Sequence, residues 1–537
     1  MAGLAATFGS GAMTNSIDEL EYTDLILATG TNTTENHPVI GMKVKRATKR
    51  GTKLIVIDPR EIDLVKYADI WLRQKPGTDV AVFNGLMNVI INEGLYAKDY
   101  VKDRTEGFDA LKKVVEKYTP EKVEKISGIP AEDLKKAARM YAGAKSASII
   151  YAMGITQHIT GTDNVKSTAN LSMLCGNVGI EGGGVNPLRG QNNVQGACDM
   201  GGLPNVYPAY QQVANEDVRK KFEAAWNAKL SPKPGLTIME MMEAAGKGMI
   251  KAIYIMGENP LLSDPDLQHV KKELKKLDLL ITQDLFLTET AQLADVVLPV
   301  AAFAEKDGTF TNTERRVQRV RKAIDAPGEA KADWDVICSI ANKMGYEMKY
   351  SSAKDIFEEV RKVTPSYAGI TYERLEKGGI QWPCPTPEHQ GTKFLHKDKF
   401  SRGLGLFTAL EYIAPDELPD KDYPFLLSTG RVLYHYHTGT MTTRTKGLIE
   451  RYPESLVEIN PVDADKLKIV NGQKVKVTSR RGAVEAKATI TQKSAPGSIF
   501  MNFHFTEAAV NMLTNPALDP IGKIPEYKVC AVKLEAA

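Results

Sequence analysis

The feature that most constrains this chain is a pattern that occurs twice. A short apolar run ends at Gly30, a second ends at Asp58, and a third follows Asp69; Gly257, Asp284 and Asp295 repeat that order. Gly30 to Asp58 is a step of 28 and Gly257 to Asp284 a step of 27, while Asp58 to Asp69 and Asp284 to Asp295 are both steps of 11. In the first copy, residues 24–29 read as a strand, 30–37 as a turn, Pro38 as the first helical position and Gly51 as the helix end. A strand over 53–57 leads to Asp58-Pro59-Arg60, a third covers 68–72, and Gly77-Thr78-Asp79 opens a helix. In the second copy a strand over 252–256 precedes Gly257-Glu258-Asn259-Pro260. A helix is expected from about Ser263 to Leu277, then a strand over 279–282, Gln283-Asp284, and a run from Ala294 to Pro299. Each copy is a strand–helix–strand unit of a parallel sheet. A glycine after the first strand admits a phosphate to a helix N-terminus, where unpaired amides and the dipole favour anions. An acid ending the next strand can bond ribose hydroxyls or a guanine edge. Candidate contacts are therefore Gly30, Asn32, Asp58, Arg60, Gly77 and Asp79 in one copy, and Gly257, Asn259, Gln283, Asp284 and Thr288 in the other. Two copies mean either two nucleotide tails or an old duplication with one site retained.

A chain of 537 residues exceeds one core and implies roughly three or four domains. A formal charge of +3 leaves no basic stripe for nucleic acid, and Lys271-Lys272-Glu273-Leu274-Lys275-Lys276 reads as a solvated helix face. No apolar run approaches the ~18 residues of a membrane span, and no charged segment precedes an apolar core as in a signal peptide. The five cysteines, Cys175, Cys198, Cys338, Cys384 and Cys530, form no CxxC pair. An iron–sulfur cluster or structural zinc within this chain is not expected, and no side chain here is expected to ligate a metal. Scattered thiols fit a reducing compartment, hence the cytoplasm.

Residues 182–201, GGGVNPLRGQNNVQGACDMG, have neither helical nor strand periodicity and read as an ordered loop. Glycines let backbone approach a bulky ligand, Asn and Gln offer paired donors and acceptors, and Arg189 can clamp a small carboxylate. This string closely resembles the corresponding loop of the molybdenum- or tungsten-dependent formate dehydrogenases, catalytic subunit, within the bis-molybdopterin guanine dinucleotide oxidoreductases. The resemblance extends over the whole chain. Met153-Gly154-Ile155-Thr156-Gln157-His158, after a strand at 148–153, matches a cofactor-contacting turn, although His158 alone reads equally as a satisfied loop histidine. From about Asp416 short β-runs alternate with tight turns at Asn471-Gly472 and Arg480-Arg481-Gly482, as in a closed β-barrel. Gly430 to Thr438 is similar to the family's phosphate-gripping barrel loop, and Pro525 to Val532 to its cofactor-facing end. The histidines at 435 and 437 have the spacing of a metal pair without an evident third ligand, and pterin contact is the preferred reading.

The resemblance implies an α/β fold: a first dinucleotide-binding α/β domain over 1–191, a second, incomplete one over 192–415, and a C-terminal β-barrel, double-psi in type, over 416–537. It implies formate oxidation to carbon dioxide, or the reverse, with Arg189 holding the carboxylate. The cofactor would be two molybdopterin guanine dinucleotides with molybdenum or tungsten. Beyond the two strand-end sets, Met153, Gly154, Gln157, Gly190, Gln191, Arg431, His435, His437, Thr438, Tyr527 and Lys528 would contact it. Partners would be formate and carbon dioxide, and an electron-transfer subunit. Gly3 to Asn15 also matches; in the family this string follows a selenocysteine or cysteine metal ligand and a [4Fe-4S] domain. Those parts are expected upstream or on a separate chain, leaving this one catalytically incomplete. Alternatives from the same residues are a non-catalytic cofactor-binding fragment or split subunit, and another bis-pterin oxidoreductase such as nitrate reductase.

Overall fold

The computed structural model describes residues 1–537 as two compact units. The first comprises Met1–Gly190, Asp264–Leu267 and Phe394–Ala537; the second comprises Gln191–Ser263 and Gln268–Lys393.

In the first unit, β1 (Leu25–Thr29), β2 (Lys53–Ile57), β3 (Ile70–Leu72), β4 (Ala147–Tyr151) and β5 (Val185–Pro187) form one parallel sheet. β1 and β4 are buried at every position, the near-continuous apolar run of a parallel strand covered on both faces. Leu25, Leu27, Ile55 and Ile149 pack one way, with the helix Asp79–Asn92, and Ile26, Ala28, Leu54 and Ile150 the other, with Val44 of the helix Pro38–Lys49. The strand order β3-β2-β1-β4-β5 places the reversal of direction between β1 and β4. Ligands of open α/β sheets bind outside the carboxyl ends of the strands at that point.

The second unit carries a smaller parallel sheet of β6 (Ala252–Met256), β7 (Leu279–Asp284) and β8 (Val296–Pro299), in the order β8-β7-β6. Its local geometry repeats the first sheet bond for bond. The Gly30 amide donates to Ile57 O at 3.1 Å, and the Gly257 amide to Gln283 O at 2.8 Å. Asp69 accepts from the Leu54 amide at 2.9 Å, and Asp295 from the Leu280 amide at 2.7 Å. Both glycines have positive φ, +53° and +61°. The copies differ in burial: Tyr254, Met256, Leu279, Val296 and Val297 are all more than a third exposed.

Within the first unit, β9 (Phe425–Gly430), β10 (Leu456–Ile459), β11 (Lys474–Thr478), β12 (Ala483–Ile490), β13 (Ser498–Asn502) and β14 (Cys530–Ala536) close into a barrel, in the order β9-β13-β10-β12-β11-β14. β9–β13 and β10–β12 are parallel and the other four pairings antiparallel. Val475, Val477, Val484, Ala486 and Ala488 point inward at alternate positions while their neighbours face solvent, the period-2 pattern of a half-buried strand. The α/β-plus-barrel class expected from sequence is what the chain adopts.

Two local expectations are corrected. The loop over 182–201 is not all loop: Val185–Pro187 is the edge strand β5, and Val194–Asp199 is a helix. β5 has three residues, all buried, too short and too uniformly covered to show alternation. The helix expected over 263–277 is two, Pro260–Ser263 and Leu267–Leu274, separated where Asp266 takes φ +48°.

At the switch point the backbones after β1 and β4 touch. The Gly154 amide donates to Gly30 O at 3.0 Å, and a Cβ on Gly154 would sit 2.5 Å from Gly30 Cα. Gly154→Ala should therefore cost about 3 kcal/mol, because backbone on both sides has nowhere to move. Gly257→Ala meets nothing within 4 Å and should cost only about 1 kcal/mol, for the left-handed backbone. Denaturant melts of both variants check this order, and equal losses would contradict it.

Candidate functional site

The first unit brings three groups of predicted residues to the carboxyl ends of its strands. At the switch point Gly30 and Gly154 make the contact above, and Met153 stands 39% exposed beside them. The Oγ1 atoms of Thr29, Thr31 and Thr33 and Oδ1 of Asn32 are buried without hydrogen-bond partners. Four orphaned oxygens within five consecutive positions are unusual, since buried polar groups are nearly always paired. They suit a ligand rich in N–H and O–H groups laid across the end of β1. His158 donates from Nε2 to Gly154 O at 2.8 Å and is 2% exposed; its Nδ1 is buried 3.8 Å from Glu526 without a hydrogen bond, and the ring buttresses the turn.

The second group surrounds Arg189. β5 ends where the Leu188 amide donates to Tyr151 O at 2.8 Å. His37 Nε2 then donates to Arg189 O at 2.6 Å, and Arg431 Nη1 to Gly190 O at 3.1 Å. The Arg189 guanidinium donates from Nη2 to Gly11 O at 3.2 Å. His437 lies against Gly190, whose Cβ would come within 2.9 Å of its ring. Burial, reinforced by Arg431, pulls His437 down to about 4 and also lowers His37. His504, bonded at Nε2 by the Val432 amide at 2.9 Å and donating from Nδ1 to His437 O, falls to about 3, chiefly by burial. These rings are neutral at physiological pH. The positive charge rests on Arg189 and Arg431, a donor set that fits carboxylate and phosphate.

The third group is buried between β2, β9 and the segment preceding β14. Lys528 Nζ donates to Thr429 O at 2.6 Å, and the Thr429 hydroxyl to Tyr527 O at 2.9 Å. Burial pulls Lys528 down to about 8 against the pull of Asp58. Burial pushes Asp58 up to about 6, opposed by the Arg60 amide that donates to its Oδ1 at 2.9 Å and by the charges of Arg60 and Lys528. Burial also raises Asp79, the first residue of its helix. The Lys528 amide donates to Gln157 O at 3.4 Å, so this group adjoins the switch point. Orphaned acceptors, buried cations and glycine backbone together fit a phosphorylated heterocycle.

Several residues expected to contact the cofactor also bond within the protein. Arg60 donates to both oxygens of Glu458 at 2.8 and 2.6 Å and lies 3.5 Å from Glu35, over the Phe500 ring. It clamps the sheet to the barrel. His435 has the Thr442 hydroxyl at Nδ1, 3.1 Å, and Tyr452 O at Nε2, 2.7 Å. Asn259 bonds Glu289 and Thr290, Gln283 bonds Tyr254 and Asp333, and Thr288 caps the helix Glu289–Leu293. At the strand ends these side chains satisfy one another. Asp284 accepts from the Leu285 amide at 2.6 Å. Gly77 packs on Pro415, Thr438 lies 3.3 Å from Thr440, and Gln191 is exposed at the start of the second unit. His37 and His504 were not singled out as site residues; the one available signal was His37 standing before Pro38 at the helix start. No group of three His, Cys, Asp or Glu side chains is arranged to hold a metal ion.

Comparison with known proteins accords with this geometry. Residues 3–343 match the family model described as Molybdopterin oxidoreductase, and residues 425–531 that of the Molydopterin dinucleotide binding domain. The chain is 58% identical to the F420-dependent formate dehydrogenase subunit alpha of Methanocaldococcus jannaschii, over all of this chain and 80% of that one. It is 43% identical to formate dehydrogenase H of Escherichia coli, over all of this chain and 76% of that one. Among solved structures it is similar to acetylene hydratase from Pelobacter acetylenicus, with a TM-score of 0.79 and 23% identity over all of this chain and 80% of that one.

Two outcomes follow from the geometry. Glu458→Gln should cost about 3 kcal/mol by leaving the buried guanidinium with only the more distant Glu35 as an ion-pair partner. An Arg60→Met/Glu458→Leu double variant should lose less; if chemical melts show the single change as neutral, the clamp is not structural. The neutral histidines also set an acid limit. His437 and His504 bind protons below the ordinary 6.5, so the unfolded chain takes up these protons first as pH falls. Their contribution is full above 6.5 and is lost as pH falls toward about 4 and about 3. His504→Gln should flatten the stability–pH slope below pH ~6 by up to one proton. An unchanged slope in pH-resolved denaturant melts would contradict the assignment.

Proposed function

Because the chain belongs to the molybdopterin oxidoreductase family, we propose that it is the catalytic alpha chain of a formate dehydrogenase. It oxidises formate to carbon dioxide, or runs the reverse, at a molybdenum or tungsten centre held by two molybdopterin guanine dinucleotides. The observation that carries the substrate is Arg189, whose peptide is bonded on both sides and whose guanidinium is held by a backbone carbonyl, Gly11 O. Archaeal and bacterial relatives with formate dehydrogenase names support the same reading.

Gly30, Thr31, Asn32, Gly154, Arg431, Tyr527 and Lys528 would hold one dinucleotide, and the open left-handed Gly257 with Asp284 would receive the other. When bound, the metal–pterin group supplies the two-electron couple that accepts formate's electron pair. Arg189 binds the carboxylate through a bidentate pair of N–H donors and orients the C–H bond. The reaction turns HCOO⁻ into CO2, one proton and two electrons, so the charge that Arg189 grips disappears in the product. Substrate is retained and product released by the same guanidinium. Neutral His37 and His437 leave that charge undiluted by further cations at the clamp. Buried Tyr151 and Leu188 flank the peptide and keep bulk water from it, which strengthens each electrostatic contact. The electrons leave through a partner subunit, with F420 the acceptor by likeness to the archaeal relative. No helix is long and apolar enough to cross a membrane. A cytoplasmic site rests on the five free cysteines.

In the metal-loaded enzyme, Arg189→Ala should lower kcat/KM for formate by about 1,000-fold, the loss of two charge-assisted bonds worth roughly 4 kcal/mol. Arg189→Lys should recover part of it, since an ammonium supplies charge without the fork. Steady-state rates of formate oxidation within tenfold of the parent in Arg189→Ala would remove the assigned role.

A further inference from the structure

The Arg189 side chain can be useful to a triatomic anion only if its backbone is held, and the structure shows what holds it. Leu188 is fixed to β4 through Tyr151 O, and Gly190 O is taken by Arg431 Nη1 at 3.1 Å. Between them the Arg189 carbonyl has one side-chain partner, His37 Nε2 at 2.6 Å. A carbonyl only accepts, so the proton sits on Nε2 and Nδ1 is left as an acceptor. Nδ1 is buried and has no partner.

The position of His37 is itself well determined. It ends the short helix Thr33–Asn36, with its amide donating to Thr33 O at 2.9 Å, and it caps the helix that Pro38 begins. Its carbonyl accepts from the Gly41 amide at 2.8 Å. The ring is therefore carried on two helix ends after β1 and reaches across to the peptide after β5. An unpaired ring nitrogen in a buried place is a cost that packing alone does not explain.

We infer that His37 is a positioning residue for formate: its Nε2–H fixes the Arg189 peptide, and through it the angle at which the guanidinium meets the carboxylate. This rests on the formate reading of Arg189 given above. His37 does not touch substrate. The effect of removing it must pass through Arg189, and that separates it from a general packing role.

The test uses the metal-loaded enzyme with its partner subunit. It reads formate kinetics and the affinity of azide, a linear triatomic anion isoelectronic with carbon dioxide, measured by calorimetry. His37→Ala should raise the formate KM about tenfold or more, with a smaller fall in kcat, and weaken azide binding in proportion, as for loss of one oriented contact. His37→Gln carries an amide N–H of similar reach and should restore most of both. In an Arg189→Ala background, His37→Ala should change azide affinity no further. The inference is overturned if His37→Ala leaves azide affinity unaltered, if His37→Gln is as impaired as His37→Ala, or if the two changes add. If His37→Ala does not fold, the comparison of His37→Gln with His37→Phe decides by the same criteria. Should Arg189→Ala alone leave formate and azide binding intact, the formate reading of Arg189 fails instead, and the two failures are told apart.

Discussion

The structure turns on a contact between two glycines. Gly30 and Gly154 lie where the sheet reverses its order, and a Cβ on Gly154 would be placed 2.5 Å from the Gly30 backbone. That closeness lets the turn after β1 and the turn after β4 share one small space. It brings Asn32, Met153 and the threonines together, and through Gln157 O it reaches Lys528 and the barrel. The barrel is joined to the sheet by a second constraint, the Arg60–Glu458 pair, which spans 398 positions of sequence. With these two in place the carboxyl ends of the strands form one polar, cationic surface.

Charge at that surface is rationed. Asp58 and Lys528 are both buried, and each is shifted toward its neutral form, Asp58 up to about 6 and Lys528 down to about 8. His37, His437 and His504 are shifted the same way. Burial drives all of these shifts, so net positive charge is concentrated on two arginines whose guanidinium groups remain ionised. An anion entering there meets fixed donors at low local dielectric, where each is worth more than in water.

Much of the fold was legible because it is written in local spacing. The steps from Gly30 to Asp58 to Asp69, and from Gly257 to Asp284 to Asp295, correspond to real and equivalent hydrogen bonds. Barrel strands such as β11 and β12 announced themselves by alternation and by the turns around them. β5 did not, since three buried residues carry no period. The site was legible where glycine spacing and the loop string spoke, and illegible where the partner is remote. Arg60 at a strand end reads alike whether it faces a phosphate or Glu458. His435 carries no sequence sign of Tyr452 O and Thr442 on its two nitrogens. His37 carries no signal beyond its place before Pro38; the distance to Arg189 O is what reveals it.

The most direct test of the account is formate turnover by the purified, metal-loaded enzyme with its partner subunit. [13C]Formate is supplied with an oxidised viologen dye under anoxic conditions, and nitrate with the reduced dye in a matched assay. The account predicts labelled carbon dioxide in step with two-electron dye reduction, and no dye oxidation by nitrate. Nitrate reduction without formate oxidation would contradict it, and would assign the arginine-lined surface to an oxo-anion instead.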